Sequence, residues 1–132
     1  MLTPFNWQRD PANPILPPAA DSACESTRCM NPFAVRAGDE YRLFYSGGDA
    51  AGHQRICLAT APVSAPDRLT RRGVVFDLGA TDSFDAHWCV LPCVYRFGAK
   101  WHMYYSGNEG TDLGLQSFSG IGLATSDDGQ HF

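Results

Sequence analysis

The sequence predicts an all-β protein built from repeated antiparallel sheets, and three observations lead to that prediction. A long segment recurs later in the chain, and both copies show the alternation of side chains that is typical of β-strands. No stretch has helical periodicity over three turns. Short strands joined by turns rich in Gly and Pro are typical of sandwiches, barrels and propellers.

The internal repeat is the most informative feature of the chain. Residues 31–47 align with residues 91–107 at a constant offset of 60, and six of the 17 aligned positions are identical. Further along, residues 56–60 match residues 121–125 at an offset of 65, so the second copy has a longer loop. A repeat of this length is a supersecondary unit, and each copy is expected to fold as one module.

The first copy is predicted to contain four strands. Residues 33–37 form a short β-rich run, and residues 38–40 supply turn residues. Residues 41–46 alternate with large side chains on both faces, which places this strand between other layers. Residues 55–61 and 73–77 supply the third and fourth strands, whereas the second copy ends after its third strand.

Four antiparallel strands per repeat predict the blades of a β-propeller. The predicted organisation is a lead-in at residues 1–30, blade 1 at residues 31–79 and an incomplete blade 2 at residues 80–132. The lead-in is expected to contain a strand for ring closure at residues 13–16. A β-sandwich of two hairpins is the alternative, but it does not explain the duplication of a whole unit. Because a propeller has at least four blades, the remaining blades are expected in the same chain or from other copies.

Composition narrows the class of protein. The 132 residues are 44% hydrophobic and 18% charged with a net charge of −4, which predicts a packed core and argues against a nucleic-acid partner. No apolar run reaches the roughly 18 residues of a membrane span, so no membrane partner is expected. The first residues lack the basic and apolar regions of a secretory signal, which predicts a cytoplasmic protein.

The five cysteines predict reduced thiols rather than a disulfide framework, because their number is odd. Their spacings also differ from the usual pairs of a zinc site. We therefore expect neither a metal nor another cofactor.

Four motifs stand in order along the chain: Asn13-Pro-Ile-Leu16, Asn31-Pro32, Tyr41-x-Leu-Phe-Tyr-Ser-Gly47 and Ile121-Gly-Leu-Ala-Thr-Ser-Asp-Asp-Gly129. Together they resemble the five-bladed β-propeller glycosidases, the superfamily that includes glycoside hydrolase families 32, 43, 68 and 130. The likeness runs from about Asn13 to Phe132 and is closest to proteins like those of families 43 and 130. It implies the first two blades of a five-bladed propeller, with a saccharide in a funnel on the propeller axis.

The resemblance also locates two positions where catalytic acids are missing. Families 32 and 43 have a catalytic Asp immediately before the Pro that opens blade 1, and this chain has Asn31 there. Family 130 has Asn-Pro at that point and an Asp-Pro-Arg motif in the following blade, where this chain has Leu91-Pro92-Cys93. Since an amide accepts no proton at neutral pH, Asn31 is expected to hydrogen-bond a sugar hydroxyl instead.

Glycosidic cleavage requires two carboxyl groups, and the repeat offers one symmetric pair. Glu25 and Asp85 each stand seven residues before the Pro that opens a blade, and we interpret them as candidate catalytic residues. The alternative is that each carboxylate caps a turn or pairs with an Arg, such as Arg28.

Further polar and aromatic residues are candidates for substrate binding because their loops are expected to lie beside the start of an innermost strand. A Trp in such a place can stack on a pyranose ring. The alternatives are solvated loop side chains and, for the Trp, packing between blades. The candidates are Asp49, His53, His87, Trp88, Glu109 and Asp112.

The predicted function is therefore that of a glycosidase acting on an oligosaccharide or another glycoside. Two alternatives stay open at this point: a glycoside phosphorylase of the family 130 type, and a non-catalytic sugar-binding or scaffold propeller.

Overall fold

Seven β-strands form one connected sheet in the computed structural model, which describes residues 6–110 and 119–132. Among these residues there is no helix that could cross a membrane. Since all seven elements of the described residues are strands, the predicted all-β class is confirmed. The strands are β1 (Arg28–Ala37), β2 (Glu40–Gly48), β3 (Gln54–Pro62), β4 (Thr70–Phe76), β5 (Trp88–Phe97), β6 (Lys100–Asn108) and β7 (Ser119–Ser126).

The strands are grouped into two antiparallel blades. Blade 1 consists of β1 to β4 in sequence order, and blade 2 consists of β5, β6 and β7. A single parallel pair, Gln54 with Trp88, links the two blades. Equivalent strands pair in the same register, since Arg28 lies opposite Gly48 in blade 1 and Trp88 lies opposite Asn108 in blade 2. The sequence repeat is therefore a structural repeat.

The innermost strands β1 and β5 begin upstream of the predicted start. β1 begins at Arg28 rather than at Phe33, because a bulge interrupts its register between Met30 and Phe33. β5 has the same irregularity. Asn31 and Leu91 occupy the bulges with φ of 54° and 57°. A strand that is broken by a positive φ and a following Pro loses the alternating pattern on which the prediction depended.

Residues 13–16 form no strand in this structure, contrary to the prediction. An outermost strand needs the free edge of a neighbouring blade. The blade that would precede blade 1 in a ring is not among the described residues, so this segment has no edge to pair with there.

The hydrophobic core lies between the two blades. One cluster combines residues of blade 1 with residues of blade 2, and each member is at most 8% exposed: Phe44, Ile56, Leu58, Val75, Cys89, Val94, Trp101, Met103 and Tyr105. Burial of a side chain of this size contributes about 1.5–3 kcal/mol. The opposite face of β2 is also covered, because Tyr45 packs with Cys57 beneath Leu16 and Cys24 of the lead-in. Coverage on both faces agrees with the large side chains predicted for both faces of this strand.

Two glycines allow the chain before each blade to lie directly against that blade. A Cβ at Gly47 would be 2.8 Å from the carbonyl oxygen of Cys24. A Cβ at Gly107 would be 2.7 Å from the Cβ of Asp85 and 2.5 Å from the ring of Phe84. The glycine of the Tyr-Ser-Gly motif, which is identical in both copies, therefore has a steric reason. This close approach positions Glu25 and Asp85.

Candidate functional site

Several predicted site residues lie at one end of the two blades. β1 begins opposite the end of β2, and β5 begins opposite the start of β3 and the end of β6. The loop between β2 and β3 therefore lies beside the segment that leads into β5. We call the residues in contact there the loop cluster, which consists of Asp49, His53, Arg55, Asp77, His87 and Trp88.

Arg55 holds two carboxylates of the loop cluster. Its Nη1 donates to Oδ2 of Asp49 at 2.8 Å, and its Nε donates to Oδ1 of Asp77 at 2.7 Å. Desolvation alone would raise the pKa of Asp49, but the hydrogen bonds from Arg55 and from the backbone of His53 outweigh it and lower that pKa. The pKa of Asp77 is also lowered, because hydrogen bonds from Leu78 and Arg55 outweigh desolvation. Both carboxylates are therefore ionised at neutral pH and can accept hydrogen bonds.

Two imidazoles meet at the junction of the blades. The rings of His53 and His87 have centroids 4.8 Å apart, and Nδ1 of His53 lies 3.5 Å from Oδ2 of Asp49. Burial, followed by the nearby His53, lowers the pKa of His87, although Asp49 opposes this. His87 is therefore neutral at physiological pH, and a neutral imidazole can donate one hydrogen bond and accept another.

Trp88 connects blade 2 with the loop of blade 1. Its Nε1 donates to the carbonyl oxygen of Gly52 at 2.9 Å, and its ring lies 5.8 Å from that of His87. This hydrogen bond supports the alternative that Trp88 packs between the blades.

Ser46 joins the two innermost strands where their bulges occur. Its buried Oγ accepts from Nδ2 of Asn31 at 3.3 Å and from the backbone nitrogen of Leu91 at 3.2 Å. Asn adopts a positive φ fairly often, whereas Leu rarely does. Leu91 adopts it with a side chain that is 53% exposed. The two positions before the blade-opening prolines are therefore directly connected.

Glu25 is enclosed rather than open to solvent. It is 2% exposed, and its Oε2 accepts from the hydroxyl of Tyr45 at 2.6 Å. Its Oε1 lies 3.1 Å from Nε of Arg71, so the ion pair considered in the sequence is made with Arg71 and not with Arg28. Burial and the bond to Glu25 raise the pKa of Tyr45, which keeps the phenol protonated as the donor.

Asp85 has the same kind of partner in blade 2. It is 6% exposed, its Oδ2 accepts from the hydroxyl of Tyr105 at 2.6 Å, and its Oδ1 accepts from Oγ of Ser83 at 2.6 Å. Each carboxylate thus binds a tyrosine 20 residues further along the chain. The catalytic assignment of Glu25 and Asp85 stays a prediction, and these contacts give both residues a structural role as well.

The loop between β6 and β7 contributes less to the described site. Glu109 is exposed next to the end of β6, and Asp112 lies outside the described residues. Among residues 6–110 and 119–132, no group of three His, Cys, Asp or Glu side chains is arranged to hold a metal ion.

Sequence reasoning missed three residues that organise this end of the molecule. Arg55, Asp77 and Ser46 hold the loops and bulges together. Ser46 belongs to the Tyr-Ser-Gly motif that recurs in both copies, whereas no local pattern marks Arg55 or Asp77. The pairs of Glu25 with Tyr45 and of Asp85 with Tyr105 did carry a signal, because an acid and a tyrosine recur at the same spacing in both copies.

Arg55→Gln is expected to destabilise the protein by about 1 kcal/mol at neutral pH, since the pairs are partly exposed. The folded-state pKa values of both partner carboxyls lie below 3.8, so their contribution is present above pH 3.8 and is lost as the pH falls below it. Urea unfolding of both proteins, repeated at falling pH, measures this difference. Arg36→Gln is the control, because Arg36 donates to a backbone carbonyl; a difference that persists in acid would contradict the assignment.

Comparison with other sequences gives a partial match. No model of a known protein family matches the chain. Two curated relatives, uncharacterised proteins from two strains of Mycobacterium tuberculosis, are each 31% identical over 127 residues. The alignment covers 92% of this chain but only 42% of each relative, so the chain spans less than half the length of the relatives it matches.

Comparison with solved structures identifies the fold. A glycosyl hydrolase from Bacteroides ovatus superimposes with a TM-score of 0.74 at 19% identity, over 92% of this chain and 38% of that one. A structure of the GH130 family of mannoside phosphorylases, which contains glycoside hydrolases that target beta-1,2 mannosidic linkages in Candida mannan, gives 0.73 at 19% identity over the same shares. The predicted fold is thereby confirmed: the chain has the fold of part of a β-propeller.

Proposed function

We propose that the chain forms the first two blades of an enzyme that cleaves glycosidic bonds, and that the loop cluster is part of its sugar site. The observation that supports this most is the convergence of Asn31, the loop cluster and the connection through Ser46 at one end of two adjacent innermost strands. The glycosidase-type fold supports the same substrate class.

The groups at this end suit the recognition of hydroxyls. Ionised Asp49 is an acceptor, neutral His87 is both donor and acceptor, and the amide of Asn31 offers both functions. A saccharide presents a dense set of hydroxyls that need such partners when they leave water. In this proposal, Asn31 and His87 bind hydroxyls directly, and Arg55 positions Asp49.

Cleavage requires an acid and a second carboxyl group. Asp49 and Asp77 are ionised and tied to Arg55, so neither is a proton donor at neutral pH. The proposed acid and base are Glu25 and Asp85 or carboxylates of further blades. The partial coverage of the structural relatives supports the existence of such blades.

A non-catalytic sugar-binding propeller is the second candidate. Two positions favour it. Asn31 stands where glycoside hydrolase families 32 and 43 have a catalytic Asp, and Leu91 stands where family 130 has the Asp of its Asp-Pro-Arg motif. A phosphorylase of the family 130 type differs from a hydrolase only in the acceptor of the glycosyl group.

Titration with manno-oligosaccharides, beginning with beta-1,2-linked ones, tests the sugar site. Calorimetry is expected to detect binding, and Asn31→Ala and His87→Ala should each weaken it by roughly five- to tenfold, which corresponds to about 1 kcal/mol per lost hydrogen bond. His131→Ala is the matched control, because His131 is exposed and follows β7, whose last residue lies opposite Trp101 at the other end of β6.

The reaction products then distinguish the three candidate functions. Release of free sugar indicates hydrolysis, and formation of a sugar 1-phosphate in the presence of inorganic phosphate indicates phosphorolysis. Binding without turnover on any of these substrates would favour the non-catalytic candidate. Equal affinities of the wild type and both variants would contradict the proposed site.

A further inference from the structure

Two cysteine thiols meet between the lead-in and blade 1. The Sγ atom of Cys57, on β3, lies 3.8 Å from the Sγ atom of Cys24, and the thiol of Cys57 donates to it. The two residues are 33 positions apart, so the tertiary fold brings them together. Because both partners belong to blade 1 and its lead-in, the contact does not depend on what packs beside the chain.

The close approach of the two thiols has structural causes. A Cβ at Gly47 would be 2.8 Å from the Sγ atom of Cys57 and 2.8 Å from the carbonyl oxygen of Cys24, so this glycine leaves the space in which both cysteines lie. Cys57 is fully buried and is held in the sheet opposite Tyr45. Cys24 belongs to a turn and is partly exposed, so its side chain can move and a small solute can reach it.

The thiol pair is not a feature that every blade requires. The offset of 60 places Phe84 at the position of Cys24, and the offset of 65 places Gly122 at the position of Cys57. In blade 2 the ring of Phe84 lies against Gly107 and fills the equivalent space. An aromatic ring and a glycine thus provide there the packing that two sulfurs provide in blade 1, and packing alone does not account for the pair.

The other cysteines make different contacts. The thiol of Cys29 donates to Oε2 of Glu25 at 3.5 Å, and that of Cys89 donates to backbone carbonyl oxygens. Cys93 is exposed on β5. Within residues 6–110 and 119–132, the contact between Cys24 and Cys57 is the one hydrogen bond that joins two sulfurs.

Burial sets the order in which the two thiols react. Desolvation, followed by the thiol of Cys24, raises the pKa of Cys57, so this thiol is protonated and shielded from solvent at neutral pH. Burial, followed by the bond to Glu25, raises the pKa of Cys29 to about 11, which keeps that thiol protonated as well. Since oxidation of a thiol follows its exposure and its thiolate character, the first attack on an oxidant comes from Cys24.

We propose that Cys24 and Cys57 form a reversible redox site that closes to a disulfide when the chain meets a peroxide. The sulfur of Cys24 attacks one oxygen of hydrogen peroxide, the O–O bond breaks, and the leaving hydroxide takes the thiol proton, which gives a sulfenic acid and water. The sulfur of Cys57 then attacks that of Cys24. The S–S bond forms, the S–O bond breaks, and the leaving hydroxide takes the proton of Cys57 as a second water. The two thiols lose two electrons and two protons, which reduce the peroxide to water.

Closure of this disulfide requires little movement. The sulfurs are 3.8 Å apart, and a disulfide joins sulfurs at about 2.05 Å, so an approach of less than about 2 Å is sufficient. The bond closes the loop of residues 24–57 and thereby restricts the unfolded chain. It also ties the residue next to Glu25 to β3, so the lead-in cannot separate from blade 1. This inference is independent of sugar binding.

Thiol counting after treatment with hydrogen peroxide tests the proposal. All five cysteines are free thiols in the structure, and the treated wild type is expected to lose two of them, together with the mass of two hydrogen atoms. A peptide map should show Cys24 joined to Cys57, and dithiothreitol should restore both thiols. The oxidised protein is expected to melt roughly 10 °C above the reduced one, because the loop is closed.

Two variants each remove one sulfur of the pair. Cys24→Ser is expected to form no disulfide and to show no rise in melting temperature after the same treatment. Cys57→Ala is expected to stop at the sulfenic acid of Cys24, which dimedone labels. If loss of the buried thiol prevents folding of Cys57→Ala, Cys24→Ser still tests the proposal, because Cys24 lies in a partly exposed turn.

Cys93→Ser is the matched control. Cys93 is exposed on β5, away from the pair, and its variant should form the same disulfide and lose two thiols like the wild type. A wild type that keeps all its thiols in excess peroxide would overturn the proposal. A disulfide between other cysteines in place of this pair, or a rise in melting temperature that persists in Cys24→Ser, would overturn it too.

Discussion

Glu25→Ala is expected to lower the free energy of unfolding by about 2–4 kcal/mol. The substitution leaves the buried hydroxyl of Tyr45 without its acceptor at 2.6 Å and removes the carboxylate that pairs with Arg71. The side chain of Arg71 is 34% exposed, so water recovers part of the loss and the effect stays below that of a fully buried pair. Urea denaturation monitored by tryptophan fluorescence measures the change.

Glu40→Ala is the matched control for this prediction. Glu40 also pairs with an arginine, but its side chain is 39% exposed, and the expected change is within about 1 kcal/mol. Glu25→Gln keeps an acceptor for Tyr45 and tests for a catalytic role in addition to the structural one. Loss of turnover with nearly unchanged stability would support that catalytic role.

Trp101→Ala is expected to cost about 3–5 kcal/mol, the largest effect of any substitution considered for this chain. Trp101 is 6% exposed in the core between the blades. The guanidinium of Arg42 in blade 1 lies 5.0 Å from its ring, and that of Arg96 lies 5.9 Å away, so two cation–π contacts are lost with the ring. Calorimetric and chemical unfolding should agree on the decrease.

Trp7→Ala provides the comparison with an identical substitution at the surface. Trp7 is 88% exposed, and its removal is expected to change the unfolding free energy by less than about 0.5 kcal/mol. Equal effects at both positions would contradict the conclusion that the contact between the blades is the core of the protein.

The recurrence of an acid and a tyrosine in both blades bears on catalysis. Glu25 with Tyr45 and Asp85 with Tyr105 make the same short hydrogen bond at the same place in each repeat. Because the same contact recurs in both described blades, it gives Glu25 and Asp85 a structural role in holding the segment before each blade. Their catalytic assignment stays a prediction.

The strands could be predicted because their signal is local. Alternation in residues 41–46 and turn residues at 38–40 appear twice, and β2 and β6 formed where they were expected. The upstream part of β1 could not be predicted, since the bulge at Asn31 breaks the period of two on which the prediction depended.

The position of the loop cluster was also predictable in part. His53 and His87 belong to segments that the repeat places at one end of the blades, and they do meet. The bridge from Arg55 to Asp77 was not predictable, because it joins β3 to the end of β4 across 22 residues and depends on the register of two strands.

The amino-acid pattern alone determined that the chain is all β, that it contains two copies of a blade and that Gly47 and Gly107 are equivalent, because all three follow from periodicity and self-similarity. Tertiary structure alone decided which charged groups are enclosed. The pairing of Glu25 with Tyr45 depends on how closely the lead-in lies against β2, and the burial of Trp101 depends on how the two blades pack together. Such contacts join segments that are distant in sequence, and their energies depend on distance and burial, which no local pattern encodes.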